Sequence, residues 1–521
     1  MASIDSTGER TCKLDISRLD IVYVTYCSSE WIDRCFSSYE QSLYPTDQIN
    51  IVVVDNGSTD DTIEKLKAIK DKSALKFNSF EIVSLGKNTG FGRANNTGFS
   101  KGSSDIVCFF NIDTEIFPET LVNLTGEIES SDARAGVWEL RQFPYEHPKM
   151  YDIVTGNTEW CSGAAFAVRR DVFSKVGGFD KHLFMYTEDV DLSYRIRALG
   201  YDLKYTPKAG ILHYAYRTAN EIKPLQYIGS ISNNLLLRYR FGSCRDILKG
   251  HKLYFSFLTH RGMFKGSRKA LAKAYLKNII TSVIFWLWRF SKKRKVKIKP
   301  SFLGLDYAKH RNGAFYEIKH FDQQSDERPL VSVIVRTHSR PAVLRQTLIS
   351  LRRQTYDNIE IVVFEDGAPT AQAMIENEFS DLNIKYAASG EKIGRSNAGN
   401  YAIESASGKY INFLDDDDLF FADHIEVMVK YLLDTNMKAA FALANETAII
   451  VKSKEPYEFE IISEEERYHQ KFVRLLLLRS NYIPIQSMLF ERELFEKYGG
   501  LDPQLDLLED WDLWVRYALT T

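Results

Sequence analysis

The hydrophobic pattern predicts alternating strands and helices in two parts of the chain. Residues 19–62 read as a strand, an amphipathic helix, a second strand and a turn rich in glycine, serine and aspartate, and residues 330–370 repeat that order. The runs IVVVD (51–55) and IEIVVF (359–364) are almost continuously apolar, as expected of parallel strands buried on both faces. The pattern therefore predicts an α/β fold that binds ligands at the carboxyl ends of its strands.

Further segments also occur twice, in the same order. They are 86–99 with 390–403, 105–117 with 409–421, and 172–197 with 494–516. The offset between matched positions varies from 304 to 321 residues, which differences in loop length explain. A repeat of this length indicates two copies of one domain rather than a solenoid.

Size and composition limit the class of protein. A chain of 521 residues exceeds what one core usually supports, so two or more domains are expected. The net charge of −2 gives no global attraction to nucleic acid, and we expect no nucleic-acid partner. The six cysteines form no CxxC pair, which fits a reduced, cytoplasmic setting better than a disulfide scaffold or a zinc site.

One apolar segment, IITSVIFWLW (279–288), is followed at once by the basic cluster RFSKKRKVKIK (289–299). Ten residues are too few to cross a bilayer, which takes about 20. An apolar helix beside basic residues suits an anionic membrane surface. An ordinary core helix with a solvated basic end gives the same pattern, and the sequence leaves both readings open.

Acidic residues end the second predicted strand of each copy. Asp55 ends the strand 51–55, and Glu365 with Asp366 occupies the equivalent corner of the second copy. A carboxylate there can accept a hydrogen bond from the imide N–H of uracil or thymine. An aspartate before glycine is also a common turn residue, so this signal alone is weak.

A second group of polar side chains follows the next strand. Asn111 and Asp113 are two residues apart, hence on one side of an extended segment, and Asp415 and Asp417 hold the same places in the run DDDD (415–418). Oxygen ligands suit Mg²⁺ or Mn²⁺, which can bridge a nucleoside diphosphate. A solvated acidic turn is the alternative for an isolated run.

Two Glu–Asp pairs, Glu188–Asp189 and Glu509–Asp510, each precede a predicted apolar helix. Acidic residues are favoured at a helix N-terminus by the helix dipole alone. Because the pairs recur after GGFD and GGLD, we interpret the aspartates as positioned general bases.

Together these motifs resemble glycosyltransferase family two, the inverting GT-A enzymes, over residues 18–240 and 329–521. The resemblance implies two tandem α/β domains of the nucleotide-diphospho-sugar transferase type. It also implies a nucleotide-sugar donor, a divalent cation (Mn²⁺ or Mg²⁺) at a DxD-type motif, and single-displacement chemistry. The first copy resembles the rhamnosyltransferase-like branch through NTGFGRANNTG and NID, which suggests a UDP- or dTDP-linked donor.

The same resemblance implies roles for individual residues. The bases would be Asp189 and Asp510. Residues that would bind the donor are Asp55, Asn88, Arg93, Asn111, Glu365, Asp366, Arg395 and Asp415. The metal would be held by Asp113, His213 and Asp417. The acceptor would meet Trp160, Gly163, Glu188 and Glu509.

The predicted organisation is a tail (1–17), a first domain (18–240), a helical basic linker that associates with a membrane in one reading (241–328), and a second domain (329–521). The second copy ends eleven residues after Asp510 and has no counterpart of His213. We therefore expect it to be truncated, with natural degeneration as the alternative.

Two transferase sites suggest sugar addition to a growing glycan, such as a bacterial O-antigen or capsule-type polysaccharide on a lipid carrier. We expect a cytoplasmic protein, either free or peripheral on the inner face of the membrane. A rival reading makes one copy a glycan-binding or scaffolding module. Nucleotidyl transfer also uses a metal and acids, but it gives no reason for two Glu–Asp pairs.

Overall fold

The computed structural model describes residues 3–4, 10–11, 14–72, 75–214, 223–259, 266–291, 294–312, 320, 327–505 and 507–520. The chain divides into two compact units, Met1–His320 and Phe321–Thr521. That boundary falls inside the predicted linker. Most of the predicted tail, and residues 313–319 and 321–326 of the linker, lie outside the described residues.

Strands of the first unit form one large sheet and a separate short pair. The strands are β1 (Ser3–Ile4), β2 (Arg10–Thr11), β3 (Leu19–Thr25), β4 (Ile49–Asp55), β5 (Ser79–Ser84), β6 (Ile106–Asn111), β7 (Thr114–Ile116), β8 (Ala135–Phe143), β9 (Ala165–Arg169) and β10 (Asp202–His213). The large sheet has the order β5-β4-β3-β6-β9-β8-β10-β7. Strands β3 to β6 are parallel, and β9 runs antiparallel to both of its neighbours.

The helices of this unit are α1 (Ser29–Ser37), α2 (Thr62–Asp71), α3 (Phe91–Phe99), α4 (Thr120–Ser130), α5 (Arg170–Val176), α6 (Glu188–Ala198), α7 (Pro224–Phe241), α8 (Cys244–Thr259) and α9 (Ser267–Leu287). Helix α7 is attached to the rest of the unit by a buried arginine. Arg240 pairs with Asp191 of α6, and its Nη2 donates to Asp180 Oδ2 at 2.6 Å. The helical part of the predicted linker therefore belongs to the first unit.

The second unit repeats the first half of this arrangement. Its strands are β11 (Val331–Thr337), β12 (Ile359–Glu365), β13 (Ile384–Ala388), β14 (Tyr410–Phe413), β15 (Ala439–Phe441), β16 (Ala444–Lys454), β17 (Tyr457–Tyr468) and β18 (Met488–Glu491). Its helices are α10 (Pro341–Arg352), α11 (Gln372–Glu378), α12 (Arg395–Glu404), α13 (His424–Thr435), α14 (Arg474–Leu477), α15 (Arg492–Tyr498) and α16 (Glu509–Thr520). The sheet order is β13-β12-β11-β14-β18-β15, and β16 pairs with β17 as a hairpin.

Strand register shows that the two units are copies of one design. Thr25 pairs with Asp55 across β3 and β4, as Thr337 pairs with Glu365 across β11 and β12. Helices α3 and α12 each follow a glycine with positive φ, Gly90 at 94° and Gly394 at 92°. Glycine reaches this conformation without steric cost, so in both units the backbone turns into the helix at the same point.

The central strands are buried on both faces, as their continuous apolar runs predicted. Ile21 packs in one core of the first unit and its neighbour Val22 in the core across the sheet. Val333 and Ile334 divide in the same way in the second unit. The predicted α/β fold with parallel strands and a domain duplication is therefore confirmed.

Candidate functional site

The carboxyl end of β4 carries Asp55, which is fully buried. Its carboxylate accepts hydrogen bonds from the backbone N–H of Gly57 at 3.2 Å, from that of Ser58 at 3.2 and 3.3 Å, and from the hydroxyl of Thr25 at 3.3 Å. These donors hold the loop after β4 in one shape. Contact of Asp55 with a nucleobase stays a prediction.

Asn56, beside this corner, fixes the loop that leads into α3. Its Oδ1 accepts from the N–H of Thr89 at 2.8 Å, and its Nδ2 donates to Asn88 Oδ1 at 3.1 Å. Asn88 Oδ1 also accepts from the N–H of Gly90 at 3.0 Å. The guanidinium of Arg93 donates to the carbonyl oxygen of Lys181 at 2.7 and 2.9 Å. Asn88 thus lies at the predicted donor loop, and the donor roles of Asn88 and Arg93 stay predictions.

Three of the predicted residues converge beyond β6. His213 Nε2 lies 3.6 Å from Asp113 Oδ1 and 3.5 Å from Asn111 Nδ2. On the other side of the ring, His213 Nδ1 is 2.8 Å from Gln142 Oε1. Burial raises the pKa of Asp113, but the hydrogen bond and charge of His213 outweigh it and hold that pKa below its ordinary value.

The Glu–Asp pair of the first unit lies at the N-terminus of α6, where Glu188 is buried and Asp189 is half-buried. Asp189 Oδ2 accepts from the N–H of Gly163 at 2.8 Å, and its Oδ1 accepts from the N–H of Val190 at 2.8 Å. Burial raises the pKa of Asp189 and, together with the charge of Asp189, raises the pKa of Glu188 to about 8. Glu188 Oε2 is buried without a hydrogen-bond partner.

A two-residue segment, Gly163–Ala164, connects the polar residues that follow β6 to this Glu–Asp pair. The N–H of Asn111 donates to the carbonyl oxygen of Ala164 at 2.8 Å, and the preceding residue, Gly163, holds Asp189. Asn111 and Asp189 are therefore positioned by one segment, although 78 residues separate them in sequence. The catalytic and donor-binding roles of these residues stay predictions.

Beneath this segment lies a buried ion pair that the sequence did not reveal. Lys149 Nζ is 2.5 Å from both carboxylate oxygens of Glu139 and donates to the carbonyl oxygen of Trp160 at 2.8 Å. The same ammonium lies 4.1 Å from the centre of the Trp160 ring. Glu139 also accepts from the N–H of Ser162 at 2.9 Å. The pair fixes Trp160 and the start of the segment that carries Gly163.

In the second unit, Glu365 accepts four hydrogen bonds from its own surroundings. The donors are the N–H of Ser339 at 3.3 Å, the N–H of Ala371 at 3.0 Å, the hydroxyl of Tyr386 at 2.6 Å and the hydroxyl of Thr370. Burial raises the pKa of Glu365, but these hydrogen bonds lower it below its ordinary value. Its nucleobase contact stays a prediction.

Asp366 takes the place that Asn56 has in the first unit. Its carboxylate accepts from the N–H of Ile393 at 2.6 Å and from that of Gly394 at 3.1 Å. The structural match of Gly90 with Gly394 makes Arg395 the counterpart of Phe91. Arg395 and Arg93 are therefore not equivalent positions, although both follow the same motif.

The acidic run of the second unit is paired with two arginines. Arg336 Nε and Nη2 each donate to a different oxygen of Asp415 at 2.9 Å. Arg340 pairs with Asp416 and donates to Asp417 Oδ2 at 3.0 Å. The arginines offset most of the charge repulsion that made the run conspicuous in the sequence. The solvated-turn alternative does not describe Asp416, which is fully buried.

Arg336 also links the run to the second Glu–Asp pair. Its Nη1 donates to Glu509 Oε1 at 3.2 Å, and Arg395 Nη1 lies 3.4 Å from the same oxygen. Asp510 Oδ2 accepts from Asn481 Nδ2 at 3.0 Å, and its Oδ1 accepts from the N–H of the next residue at 2.8 Å. Burial raises the pKa of Asp510, as it does for Asp189.

The two units differ in how well they suit a divalent cation. In the first unit, the Asp113 carboxylate and the His213 imidazole face each other, with Gln142 in the orienting position that ligating histidines commonly have. This donor set fits Mn²⁺ or Mg²⁺ with positions left for phosphate oxygens. In the second unit, Asp417 is half exposed and shares Arg340, so the fit is weaker there.

A family model described as Glycosyl transferase family 2 matches residues 20–177 and 332–499, which is more than half of the chain. The chain belongs to glycosyl transferase family 2. Each matched region lies within one of the two units, so the predicted pair of family-two domains is confirmed. Both candidate sites lie largely within these regions, while Asp189, His213 and the second Glu–Asp pair follow them in sequence.

Curated relatives of the chain are named as glycosyltransferases. A glucosyltransferase of Escherichia coli, named UDP-Glc:alpha-D-GlcNAc-diphosphoundecaprenol beta-1,3-glucosyltransferase WfgD, is 31% identical over 189 residues, covering 36% of this chain and 68% of the relative. An uncharacterized glycosyltransferase of Rickettsia typhi is 29% identical over 197 residues, covering 37% and 60%. The chain thus spans less than two thirds of that relative's length.

Among solved structures, the mannosyltransferase PcManGT of Pyrobaculum calidifontis, in complex with GDP-Man and Mn²⁺, aligns with a TM-score of 0.36 at 15% identity. The alignment covers 53% of this chain and 88% of that chain. S. aureus TarS 1-349 in complex with UDP-GlcNAc aligns with a TM-score of 0.35 at 15% identity, covering 58% of this chain and 100% of TarS 1-349.

Several residues of these family-two sites escaped the sequence analysis. They are Gln142, Glu139, Lys149, Arg336, Arg340 and Asn481. The two arginines could have been predicted, because the segment VSVIVRTHSR contains both of them and its strand lies next to the strand that precedes the four aspartates. Of the others, Glu139 and Gln142 lie in β8, and Lys149 and Asn481 lie in loops, and none of them belongs to a motif that recurs in both copies.

Proposed function

We propose that each unit transfers a sugar from a nucleotide-diphosphate donor to a hydroxyl of a growing glycan, with inversion at the anomeric carbon. One observation carries the proposal. Each unit places a half-buried aspartate, Asp189 or Asp510, at the start of a helix. Hydrogen bonds connect each Glu–Asp motif to the polar residues at the strand end. A base and a donor-phosphate site are what a single displacement requires.

Asp189 has the properties of a general base. Its two backbone hydrogen bonds fix the carboxylate, while each oxygen keeps a second lone pair for an acceptor hydroxyl. A carboxylate with a raised pKa accepts a proton more readily at neutral pH than an ordinary aspartate. It would take the acceptor's proton as the oxygen attacks, a contribution of about 10²–10⁴-fold.

Donor binding would use the open side of the polar residues that follow β6 in the first unit and β14 in the second. Asp113 and His213 would hold the cation in the first unit, and a cation bound there would offset charge developing on the leaving diphosphate. In the second unit, Arg336 and Arg340 place positive charge at the same strand end. We propose a UDP- or dTDP-linked donor, with rhamnosyl-type transfer in the first unit.

The acceptor is proposed by analogy with the relative whose name specifies a diphosphoundecaprenol-linked acceptor and UDP-Glc. Accordingly, the chain would extend a lipid-linked glycan in bacterial polysaccharide assembly. We therefore propose a cytoplasmic protein that is peripheral on the inner face of the membrane. Trp160 and Gly163, beside Asp189, would meet the acceptor sugar.

A second candidate function keeps only the first unit catalytic and makes the second a donor- or glycan-binding module. The observation in its favour is the pairing of the acidic run with Arg336 and Arg340.

The test compares Asp189→Asn and Asp510→Asn with the unaltered chain. Each protein is incubated with nucleotide sugars, Mn²⁺ or Mg²⁺ and a lipid-linked acceptor, and the products are identified by mass. We expect each variant to lose a different addition while donor binding persists. Loss of all transfer with Asp189→Asn alone would favour the second candidate, and full transfer by both variants would overturn the base assignment. The exposed Asp71→Asn and Asp434→Asn are matched controls.

A further inference from the structure

The outward face of helix α9 is apolar. Its exposed large side chains are Leu276, Ile279, Ile280, Val283, Ile284, Trp286 and Leu287, followed by Phe290 in the next turn. Ile280 is 74% exposed and Phe290 70%. The spacing of three and four residues makes one stripe, which spans about 21 Å from Leu276 to Phe290. We call this stripe the α9 face.

The inward side of the same helix is partly polar. Asn278 Nδ2 donates to the carbonyl oxygen of Ser232 in α7 at 3.0 Å, and Ser282 is buried. Leu271 and Phe285 supply the apolar contacts on this side. The usual arrangement for a soluble helix, apolar inside and polar outside, is therefore reversed along its second half. Contiguous exposed apolar surface of this kind marks an interaction site.

The chain around the face is strongly basic. Residues 247–305 contain 15 lysines and arginines and no aspartate or glutamate, although the whole chain has a net charge of −2. Lys273 and Lys277 precede most of the apolar stripe on α9, and Lys295, Lys297 and Lys299 follow it, all exposed. Lys292 and Lys293 lie outside the described residues. Apolar contact flanked by cations is complementary to a surface with anionic groups over a hydrocarbon layer.

The helix is long and apolar enough to cross a membrane by length and composition, over Ser267–Phe290, with 11% of its apolar window buried. The core-helix reading of the sequence is therefore wrong. The most apolar segment, however, covers only 279–288 and includes Thr281 and Ser282, which is about 15 Å of helix against a hydrocarbon thickness of about 30 Å. Packing of α9 along α7 also occupies one side of it. The helix therefore suits a position along a surface.

We propose that the α9 face docks the first unit on an anionic lipid surface, with the helix lying parallel to it. The apolar side chains would enter the boundary between headgroups and acyl chains, and the flanking lysines would pair with lipid phosphates. A second copy of the chain fits less well, because it would bring the same cations together. The biological meaning rests on the proposed lipid-linked acceptor, but docking is measurable without transfer.

The experiment measures co-sedimentation of the full chain with vesicles of phosphatidylcholine alone or with 30% phosphatidylglycerol (about a third anionic lipid, where surface charge attracts basic segments). We expect binding to the anionic vesicles that weakens with added salt. Lys295→Gln/Lys297→Gln/Lys299→Gln should reduce the partition coefficient about 100-fold, since each cation contributes about fivefold. Ile280→Glu should also reduce it, because a charge would enter the apolar boundary.

The matched control is Lys67→Gln/Lys70→Gln/Lys76→Gln, which removes three exposed lysines elsewhere in the first unit and should bind like the unaltered chain. Equal loss in this control, or no loss with Ile280→Glu, would overturn the docking face. Light scattering without vesicles tests the other occupant: a dimer that Ile280→Glu dissociates would overturn the lipid proposal. Donor hydrolysis is measured in parallel, so failed docking is distinguishable from failed catalysis.

Discussion

The buried guanidinium of Arg336 allows a quantitative prediction about the second unit. Arg336 is 7% exposed and bonds both oxygens of Asp415 and one oxygen of Glu509, which is 3% exposed. Asp415 and Glu509 raise the pKa of Arg336 above its ordinary value, although burial alone lowers it. Arg345 offers a matched comparison in the same unit, since it pairs with Glu378 at the surface and is half exposed.

The expected magnitudes follow from burial. Arg336→Met leaves two carboxylates facing each other without their shared cation, and breaking a buried pair in this way costs about 3–5 kcal/mol. Arg395, 3.4 Å from Glu509, reduces that cost toward the lower value. Arg345→Met removes an exposed pair worth about 0–1 kcal/mol. Adding Asp415→Asn and Glu509→Gln to Arg336→Met should recover part of the loss, because no unpaired charge remains.

The assay is urea unfolding of the full chain followed by circular dichroism, with the change in midpoint converted to a free energy of unfolding. Because the units are separate compact bodies, we expect only the transition of the second unit to move. If Arg336→Met costs no more than Arg345→Met, or if the added neutral substitutions recover nothing, the inferred charge balance at the acidic run is wrong.

Three further predictions concern single contacts. Burial and the neighbouring carboxylates raise the pKa of Asp418 to about 7, so its contribution to stability is present below about pH 4 and lost as the pH rises toward 7. Asp418→Asn should therefore gain melting temperature over the unaltered chain between pH 5 and 8, measured with EDTA present. Gln142→Ala should lower Mn²⁺ affinity at His213 about 10–100-fold, measured by calorimetry with UDP present. Arg240→Met should cost about 3 kcal/mol in urea unfolding, because Asp191 and Asp180 lose a buried partner while Asp191 keeps Arg195 at 2.7 Å.

Each of these has an outcome that contradicts it. A melting difference for Asp418→Asn that does not change with pH would show that its carboxyl group titrates normally. Unchanged Mn²⁺ affinity in Gln142→Ala would remove His213 from the proposed metal site. A loss below about 1 kcal/mol for Arg240→Met would mean that α7 is held by its apolar contacts rather than by the ion pair.

Short-range patterns were enough to predict the architecture. Continuous apolar runs such as 51–55 predicted parallel strands buried on both faces, and the repeated motifs predicted two copies, because each copy must bury the same elements in the same order. Family membership followed from the same motifs. Asp113 and His213 were also predicted as partners, although β6 and β10 bring them together from 100 residues apart.

The sequence left the surroundings of these residues undetermined. The matched segments 86–99 and 390–403 already put Arg395 opposite Phe91, but the sequence did not show that Arg93 contacts the carbonyl oxygen of Lys181 and that Arg395 lies near Glu509. The run DDDD (415–418) was predicted to bind a metal because of its charge. In the structure, Arg336 and Arg340, from an adjacent strand and helix, pair with its aspartates. A sequence motif identifies its own residues, but it does not identify the partners that long-range packing brings into contact with them.

The sequence by itself determined the fold class, the duplication and the positions of the acids, since periodicity and turn residues are local properties of the chain. Only the tertiary structure decided what each acid contacts and which side of α9 faces water. Both depend on the packing of segments far apart in sequence: Gly163 against Asp189, Arg336 against Glu509, and α7 against the polar side of α9. Hydrophobicity alone could not distinguish a buried helix from one whose apolar side is exposed, because that difference is set by the partner and not by the helix.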